Sequence, residues 1–145
     1  MKYLLIAVSE MKAGIERDLF DQYKKRLSKP LSVVEIKQRN VPSIEAIDIL
    51  KHITSDDWVC ALDERGLTLA SRELSDCICG AEQAFKRLVF VIGGADGLAP
   101  DIRVRANLCL SFGKMTWPHL LVRGLLAEQL YRCQQIAANH PYHRD

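Results

Sequence analysis

Hydrophobic and polar positions divide the chain into two kinds of segment that alternate from end to end. Short apolar runs, typical of strands buried on both faces, predict strands at 3–8, 32–36, 58–62, 88–92 and 107–111. The segments between them have apolar residues at every third or fourth position, which is the spacing of one helix face. Because helical crossovers join parallel strands, the pattern predicts one α/β domain over residues 1–145, with a mostly parallel sheet in three layers.

Several predicted helices have a recognisable start or buried face. The first is expected to bury a row of residues at spacing four, namely Ile15, Leu19, Tyr23 and Leu27. The second begins near Pro42, which suits a first turn, and is expected to bury Ile44, Ile47, Leu50 and Ile53. Segment 63–66 is expected to end the third strand. Ser71 is a suitable N-cap for the next helix, which turns Leu74 inward, and Pro100 starts a short one.

The last predicted helix, 120–138, is almost uncharged and has leucines nearly all round it. Both of its faces are therefore expected to be covered, one by the sheet and the other by a second copy of the chain, which predicts a homodimer. Gly124 in its middle costs about 1 kcal/mol relative to alanine, and close approach of another backbone would explain that cost. The alternative is a helix buried entirely within one monomer.

Composition narrows the class of protein without identifying a ligand. The 145 residues are 48% hydrophobic, which is enough for one core without a disulfide or a metal. The five cysteines lack zinc spacing, since Cys77 and Cys79 would point to different helix faces. No leader precedes the first strand and no apolar stretch could span a bilayer, so we expect a cytoplasmic protein with no metal and no membrane partner. The net charge of +2 neither demands nor excludes a nucleic acid.

Glycines follow three predicted strands, at Gly66, at Gly93, Gly94 and Gly97, and at Gly113. A tight turn explains each glycine alone, but the carboxyl ends of parallel strands share one edge, where a binding crevice is expected. The cluster at 93–97 matches neither the dinucleotide fingerprint nor the phosphate loop, and Asp96 would repel a pyrophosphate. This favours a nucleoside that bears a cation or zwitterion. The aromatic and thioether groups of 112–117 either sandwich a flat heterocycle or pack in the core.

Several segments together resemble one family. They are Leu62-Asp63 with Gly66 and Ser71, Val91-Ile92-Gly93-Gly94 with Gly97, Ser111-Phe112-Gly113-Lys114-Met115-Thr116-Trp117-Pro118-His119, Glu128-Gln129-Leu130-Tyr131-Arg132, and Pro141-Tyr142-His143-Arg144. Over the whole chain they are similar to the bacterial RlmH (YbeA-type) methyltransferases. The resemblance implies a SPOUT-class fold with a C-terminal trefoil knot. It also implies a homodimer that transfers a methyl group from S-adenosyl-L-methionine to N3 of a pseudouridine in large-subunit (23S) ribosomal RNA on the ribosome.

The resemblance also implies a cofactor site and an RNA-binding tail. The cofactor contacts would be Leu62, Gly93, Gly94, Phe112, Gly113, Lys114, Met115, Thr116 and Trp117. In the tail, His143 is the candidate base for the N3 proton, Tyr142 would stack on a base and Arg144 would hold a phosphate. Further candidates for RNA contact are Arg123 and Arg132, and the basic run Lys24, Lys25, Arg26 and Lys29 with Lys37 and Arg39. Leu67 departs from the family, in which a lysine often stands there.

Alternatives remain for the function and for single residues. Tyr142, His143 and Arg144 could bind RNA without taking part in proton transfer. The chain could also be a non-catalytic ribosome- or RNA-binding module of the same fold, which would bind RNA but not S-adenosylmethionine. An unrelated flavodoxin-like domain is disfavoured by the missing phosphate loop. His119 is expected to be structural and His52 to have no role.

Overall fold

The computed structural model describes residues 2–145, with one sheet that has helices on both of its faces. The elements are β1 (Lys2–Val8), α1 (Ile15–Lys24), β2 (Leu31–Ile36), α2 (Pro42–Leu50), β3 (Asp57–Thr68), α3 (Ser71–Ala84), β4 (Arg87–Ile92), α4 (Pro100–Arg105), β5 (Leu108–Ser111) and α5 (His119–Ala137). All five strands are parallel and lie in the order β2-β1-β4-β3-β5. This confirms the predicted α/β class and the parallel sheet, whereas the trefoil knot stays a prediction.

The two helix layers enclose two separate cores. Helices α1, α3 and α5 cover one face of the sheet around Leu5 and Phe90, while α2 and α4 cover the other around Ile6 and Val91. Residues 4–8 of β1 are at most 6% exposed, because successive side chains enter opposite cores. Burial on both faces explains why these strands are continuous apolar runs in the sequence.

The predicted buried face of α2 is wrong at two of its four residues, whereas Leu50 and Ile53 are partly buried against the core. Ile44 is 45% exposed and Ile47 is 60% exposed, whereas Ala46 and Ile49 are buried. The predicted residues recur at every third position, and that row drifts around a helix that has 3.6 residues per turn. Ala46 instead faces the sheet, where its small side chain lets the helix approach closely. Ile53 lies beyond α2, which ends three residues earlier.

Two helix starts also differ from the predictions. Ile15 is the first residue of α1 and is 84% exposed, so the buried position on this helix is taken by Phe20. The N-cap of α3 is Ala70, and Ser71 is the first helical residue. The Ser71 hydroxyl donates to Gln129 Oε1 at 2.7 Å, which ties α3 to α5.

Strand β3 is longer than predicted. Segment 63–66 does not end it, and β3 continues to Thr68 with a register shift against β5 between Leu62 and Leu67. A Cβ atom at Gly66 would lie 2.5 Å from the carbonyl oxygen of Cys109, so only glycine lets the two strands approach this closely. Gly66 therefore serves strand pairing, and it is not a ligand-binding turn.

Helix α5 lies between α1 and α3 on the sheet, and its inner side, at Leu126 for example, is fully buried. The close neighbour of Gly124 belongs to the same protomer, since a Cβ atom there would lie 2.7 Å from Leu19 Cδ2 of α1. Gly124 therefore leaves room for α1 of the same protomer and is no evidence for a second copy of the chain. The outer side of the helix, at Leu125 for example, is only partly buried, and the homodimer stays a prediction.

An ion pair closes the amino edge of the sheet. Asp57, the first residue of β3, is 3% exposed, and Arg87 of β4 donates to its two carboxylate oxygens at 2.9 and 2.8 Å. Burial raises the pKa of Asp57, but the hydrogen bonds from Arg87 and Thr54 outweigh it, so that the pKa is lowered overall. This edge is therefore held by a buried carboxylate that stays ionised.

All five cysteines are free thiols, and Cys60 and Cys133 are buried, as expected, while Cys109 is partly exposed. Within residues 2–145, no helix is both long and apolar enough to cross a membrane. In the same part of the chain, no group of three or more His, Cys, Asp or Glu side chains is placed to hold a metal ion.

Candidate functional site

A cavity of about 300 Å³ opens at the carboxyl edge of the sheet. Residues 62–65 of β3, the loops that follow β4 and β5, and the start of α5 form its walls. The cavity therefore lies at the edge of the parallel sheet where a binding crevice is expected. Eight of the nine predicted cofactor contacts line it, namely Leu62, Gly93, Gly94, Phe112, Gly113, Met115, Thr116 and Trp117. Lys114 is exposed and does not line the cavity.

The glycine loop after β4 forms one wall of the cavity with its backbone. The Gly97 amide donates to the Gly94 carbonyl at 3.0 Å, which closes a tight turn, and Gly97 has a φ of 81°. A Cβ atom at Gly93 would lie 2.7 Å from the Gly97 carbonyl oxygen. At Gly94 it would lie 3.1 Å from Cγ1 of Val8, in the neighbouring strand. Side chains at these positions would displace the turn, so the ligand faces backbone here.

The loop after β5 forms the opposite wall. Gly113 has a φ of 118°, and the Ser111 hydroxyl bonds to both the amide and the carbonyl of Gly113, at 3.1 and 2.8 Å. The Thr116 hydroxyl donates to Glu64 Oε2 at 3.0 Å, which joins this loop to the extension of β3. Met115 is 75% exposed and Trp117 is 41% exposed. The loop therefore presents apolar and aromatic surface at the mouth of the cavity.

The charged groups that line the cavity are mainly acidic. Asp63, Glu64 and Asp96 face one arginine among the lining residues, Arg65. The Asp63 side chain is 5% exposed. Burial raises the pKa of Asp63, but hydrogen bonds from Arg65 and the charge of Arg103 lower it overall, so this carboxylate stays ionised. An excess of negative charge in a partly enclosed space favours a ligand that bears positive charge.

The charged residues at 63–65 and His119 are cavity residues that the sequence analysis did not assign. A signal for 63–65 was present, because the segment directly follows a buried strand, but a run of charged residues also predicts a turn. Burial lowers the pKa of His119 and the charge of Arg123 lowers it further, so the ring is neutral at pH 7. His119 therefore adds a polar but uncharged group to the wall.

The C-terminal tail lies along α5 of its own chain. The Tyr142 hydroxyl donates to Glu128 Oε1 at 3.0 Å, and the His143 ring lies against the same helix. Arg144 is exposed. Glu128 is nine residues after His119, which is about 14 Å along a helix axis. Residues 142–144 are accordingly not among those that line the cavity of this chain.

Arg123 is not available for RNA contact, contrary to the prediction. It is 1% exposed, and its guanidinium donates to Glu35 Oε2 at 2.6 Å and to the carbonyl oxygens of Val8 and Ser9 at 3.0 and 2.6 Å. Ser9 has a φ of 85°, a strained conformation for a residue with a side chain, and this hydrogen bond helps to hold it. Arg123 thus fastens the loop after β1 to α5, next to the cavity.

Comparison with known proteins identifies the family. Residues 1–143 match the family described as "Predicted SPOUT methyltransferase". The chain belongs to the SPOUT methyltransferase family. Ribosomal RNA large subunit methyltransferase H of Rhodospirillum centenum is 46% identical to this SPOUT methyltransferase, and the protein of that name from Cereibacter sphaeroides is 45% identical. Each of these matches covers 99% of both chains.

Solved structures share the SPOUT fold at much lower identity. A probable methylase family protein from Haemophilus influenzae has a TM-score of 0.59 at 13% identity, over 99% of this chain and 70% of its own. Ribosomal RNA small subunit methyltransferase E from Neisseria gonorrhoeae, solved with S-adenosyl methionine bound, has a TM-score of 0.57 at 10% identity, over 94% and 66%. At such identities the likeness concerns the fold alone.

Proposed function

We propose that this SPOUT methyltransferase transfers a methyl group from S-adenosyl-L-methionine to N3 of a pseudouridine in large-subunit ribosomal RNA. The strongest support is the cavity at the carboxyl edge of the parallel sheet, in a chain that is 46% identical to a named large-subunit methyltransferase over its whole length. The proposed partner is the ribosome or its large subunit, and the proposed location is accordingly the cytoplasm.

The cavity residues fit the proposed cofactor. Leu62, Phe112 and Trp117 supply apolar and aromatic surface for the adenine ring, and the backbone at 93–94 allows a close approach. Asp63 is paired with Arg65 and Arg103, so Glu64 and Asp96 supply the negative charge for a ligand whose sulfonium and ammonium groups are positive. The cofactor has no phosphate, which agrees with a glycine loop that lacks a phosphate-binding lysine. The volume of about 300 Å³ lies at the lower end of the range for ligand pockets.

The chain contributes to the reaction mainly by positioning. S-adenosyl-L-methionine, when bound, supplies a methyl group on a positive sulfur, and this sulfur is the leaving group when a nitrogen nucleophile attacks the methyl carbon. The protein then has to hold the RNA base in line with that methyl group and keep water out. Met115 and Trp117 lie on the loop at the mouth of the cavity and cover the ligand there. The Thr116 to Glu64 hydrogen bond keeps this loop against β3.

The tail is proposed to serve the cavity of a second protomer in a homodimer. In its own chain the tail is held on α5 about 14 Å from the cavity end of that helix, so a second copy has to bring tail and cavity together. Arg144 is exposed and is the proposed phosphate contact. The partly exposed Arg132 lies over one face of the Tyr142 ring, so a base would stack on the other face. From the sequence, His143 is either the acceptor of the N3 proton or an RNA contact without a part in proton transfer.

Calorimetric titration with S-adenosylmethionine tests the cofactor site and separates the enzyme from an RNA-binding module. We expect the wild type to bind, and Trp117→Ala to bind about tenfold more weakly, because stacking on an aromatic ring is worth on the order of 1 kcal/mol. Val104→Ala is the matched control, since Val104 is 86% exposed and lies outside the cavity. RNA binding without any cofactor binding would contradict the proposal and support the non-catalytic module.

A further inference from the structure

Both ring nitrogens of His143 are engaged by charged neighbours. Nδ1 lies 3.1 Å from a terminal nitrogen of Arg132, and Nε2 lies 3.0 Å from Asp145 Oδ1. The His143 side chain is 12% exposed, whereas that of Asp145 is 70% exposed. Asp145 also accepts a hydrogen bond from Arg72 Nε of α3 at 2.7 Å. The ring is thus held from the side of α5 at Nδ1 and meets a solvent-exposed carboxylate at Nε2.

Arg132 is itself held in place. Its Nε and one terminal nitrogen donate to Glu128 Oε1 at 2.9 and 2.6 Å, which leaves the other terminal nitrogen for His143. The guanidinium carbon lies 4.8 Å from the ring centroid of Tyr142, whose hydroxyl donates to the same Glu128 oxygen. Glu128, Arg132 and Tyr142 therefore form a preformed support for the His143 ring.

These contacts determine which ring nitrogen has the proton. A guanidinium has five N–H donors and no acceptor, so Nδ1 has to accept the hydrogen bond from Arg132 with its lone pair. The proton of the neutral ring then lies on Nε2, from which it is donated to Asp145. A proton on Nδ1 would place two donors face to face beside a fixed positive charge. The one lone pair of the neutral ring is therefore already occupied.

We propose that Arg132 is a positioning residue that fixes His143 as a neutral hydrogen-bond donor through Nε2–H. On this account, which rests on the proposed function, His143 donates to an oxygen acceptor of the RNA and does not remove the N3 proton. The RNA oxygen replaces the exposed Asp145 carboxylate as the acceptor. The N3 proton is lost to bulk water before the base is enclosed in the cavity, so that the nitrogen is already deprotonated when water is excluded.

Nuclear magnetic resonance of histidine-labelled protein tests the proton position without any reference to activity. Two-bond correlations from ring protons to ring nitrogens distinguish the two tautomers. We expect His143 of the wild type to be in the Nε2–H form. In Arg132→Met alone, Asp145 still accepts from Nε2, so the double variant Arg132→Met with Asp145→Ala is the one expected to show a mixture of forms. The signals missing in His143→Gln assign His143, and His52→Gln is the control, because His52 is exposed and outside the tail. A wild-type His143 that is protonated on Nδ1 would overturn the proposal.

Methyl transfer by His143 variants separates a donor from a base. A glutamine amide can donate a hydrogen bond but cannot take up a proton at neutral pH. We therefore expect kcat/KM to fall by less than about fivefold in His143→Gln. In His143→Ala it should fall by about 30-fold, because the hydrogen bond from Nε2–H to a charged oxygen of the RNA is lost. Equal losses in both variants, together with loss of a pH-dependent limb of the rate, would show that His143 is a base and would refute the donor role.

The Arg132 variants complete the test. Arg132→Met is expected to raise the KM for RNA about tenfold with little change in kcat, because it loosens the tail without touching the methyl group. Arg132→Lys should recover part of this loss, since an ammonium can still donate to Nδ1. An Arg132→Met enzyme with an unchanged KM would contradict the positioning role. If the wild type transfers no methyl group at all, the proposed function fails, while the resonance experiment still decides the tautomer.

Discussion

Replacement of Arg123 by methionine should lower the stability of the fold without weakening the salt dependence of RNA binding. The substitution removes three charge-assisted hydrogen bonds, to Glu35 and to the carbonyl oxygens of Val8 and Ser9, from a site that is 1% exposed. Removing one member of a buried ion pair costs about 3–5 kcal/mol. The Glu35 side chain is 37% exposed and can regain contact with water when Arg123 is removed. We therefore expect Arg123→Met to lower the free energy of unfolding by about 3 kcal/mol, the lower end of that range.

Urea unfolding of Arg123→Met and wild type measures this difference directly. At about 3 kcal/mol the melting temperature of a chain of this size should fall by roughly 10 °C. Lys86→Met is the control, because Lys86 makes an exposed pair with Asp56 and its loss should cost at most about 0.5 kcal/mol. A cost below about 1 kcal/mol at Arg123, or a weaker salt dependence of RNA binding at unchanged stability, would refute the structural role.

Further predictions concern helix glycines, acid stability and assembly. Gly80→Ala should stabilise the fold by about 0.5–1 kcal/mol, because nothing lies within 4 Å of the added Cβ atom. Gly124→Ala should be less stable than Gly80→Ala by at least about 1 kcal/mol, since its Cβ atom would clash with α1. The urea midpoints of the two variants measure this difference. The pKa of Asp57 is lower in the folded than in the unfolded chain, so its contribution to the free energy of unfolding is complete above about pH 4 and is lost as the pH falls through the folded pKa. Asp57→Asn should therefore weaken the pH dependence of the free energy of unfolding below about pH 4, as measured by urea unfolding at several pH values. Leu125→Glu on the outer side of α5 should give a monomer by sedimentation that still binds S-adenosylmethionine, whereas Leu67→Glu, already 63% exposed, should leave the mass of the wild type unchanged.

The sequence pattern is sufficient for the elements that are buried on both faces. Strands β1 and β4 contribute to both cores, so every residue after the first charged one is hydrophobic and the sequence alone predicts the strands. Helix α2 shows the limit of such reasoning. Its rotation is decided by the small Ala46 against the sheet, and a row of larger residues at 44 and 47 predicts the wrong face. Which residues of α2 are exposed can be read only from the way this helix packs on the sheet.

The candidate site divides in the same way. Glycines after buried strands predict the cavity edge, because parallel topology alone brings the strand ends together. The network around Arg123 could not be predicted, since its partner Glu35 lies 88 residues away and a lone arginine beside leucines has no pattern. The contacts of His143 with Arg132 and Asp145 depend likewise on how the tail folds back onto α5. The hydrophobic pattern of the sequence therefore does not predict polar pairs that form only when separate segments fold together.

Transfer of labelled methyl groups from S-adenosylmethionine tests the central claim most directly. The substrates are whole ribosomes, separated small and large subunits and naked ribosomal RNA, followed by digestion and mass spectrometry of the labelled nucleoside. We predict label only where large-subunit RNA is present, in a nucleoside with the mass and fragmentation of N3-methylpseudouridine. Label in small-subunit RNA alone, in a different nucleoside, or in none of the substrates would contradict the account.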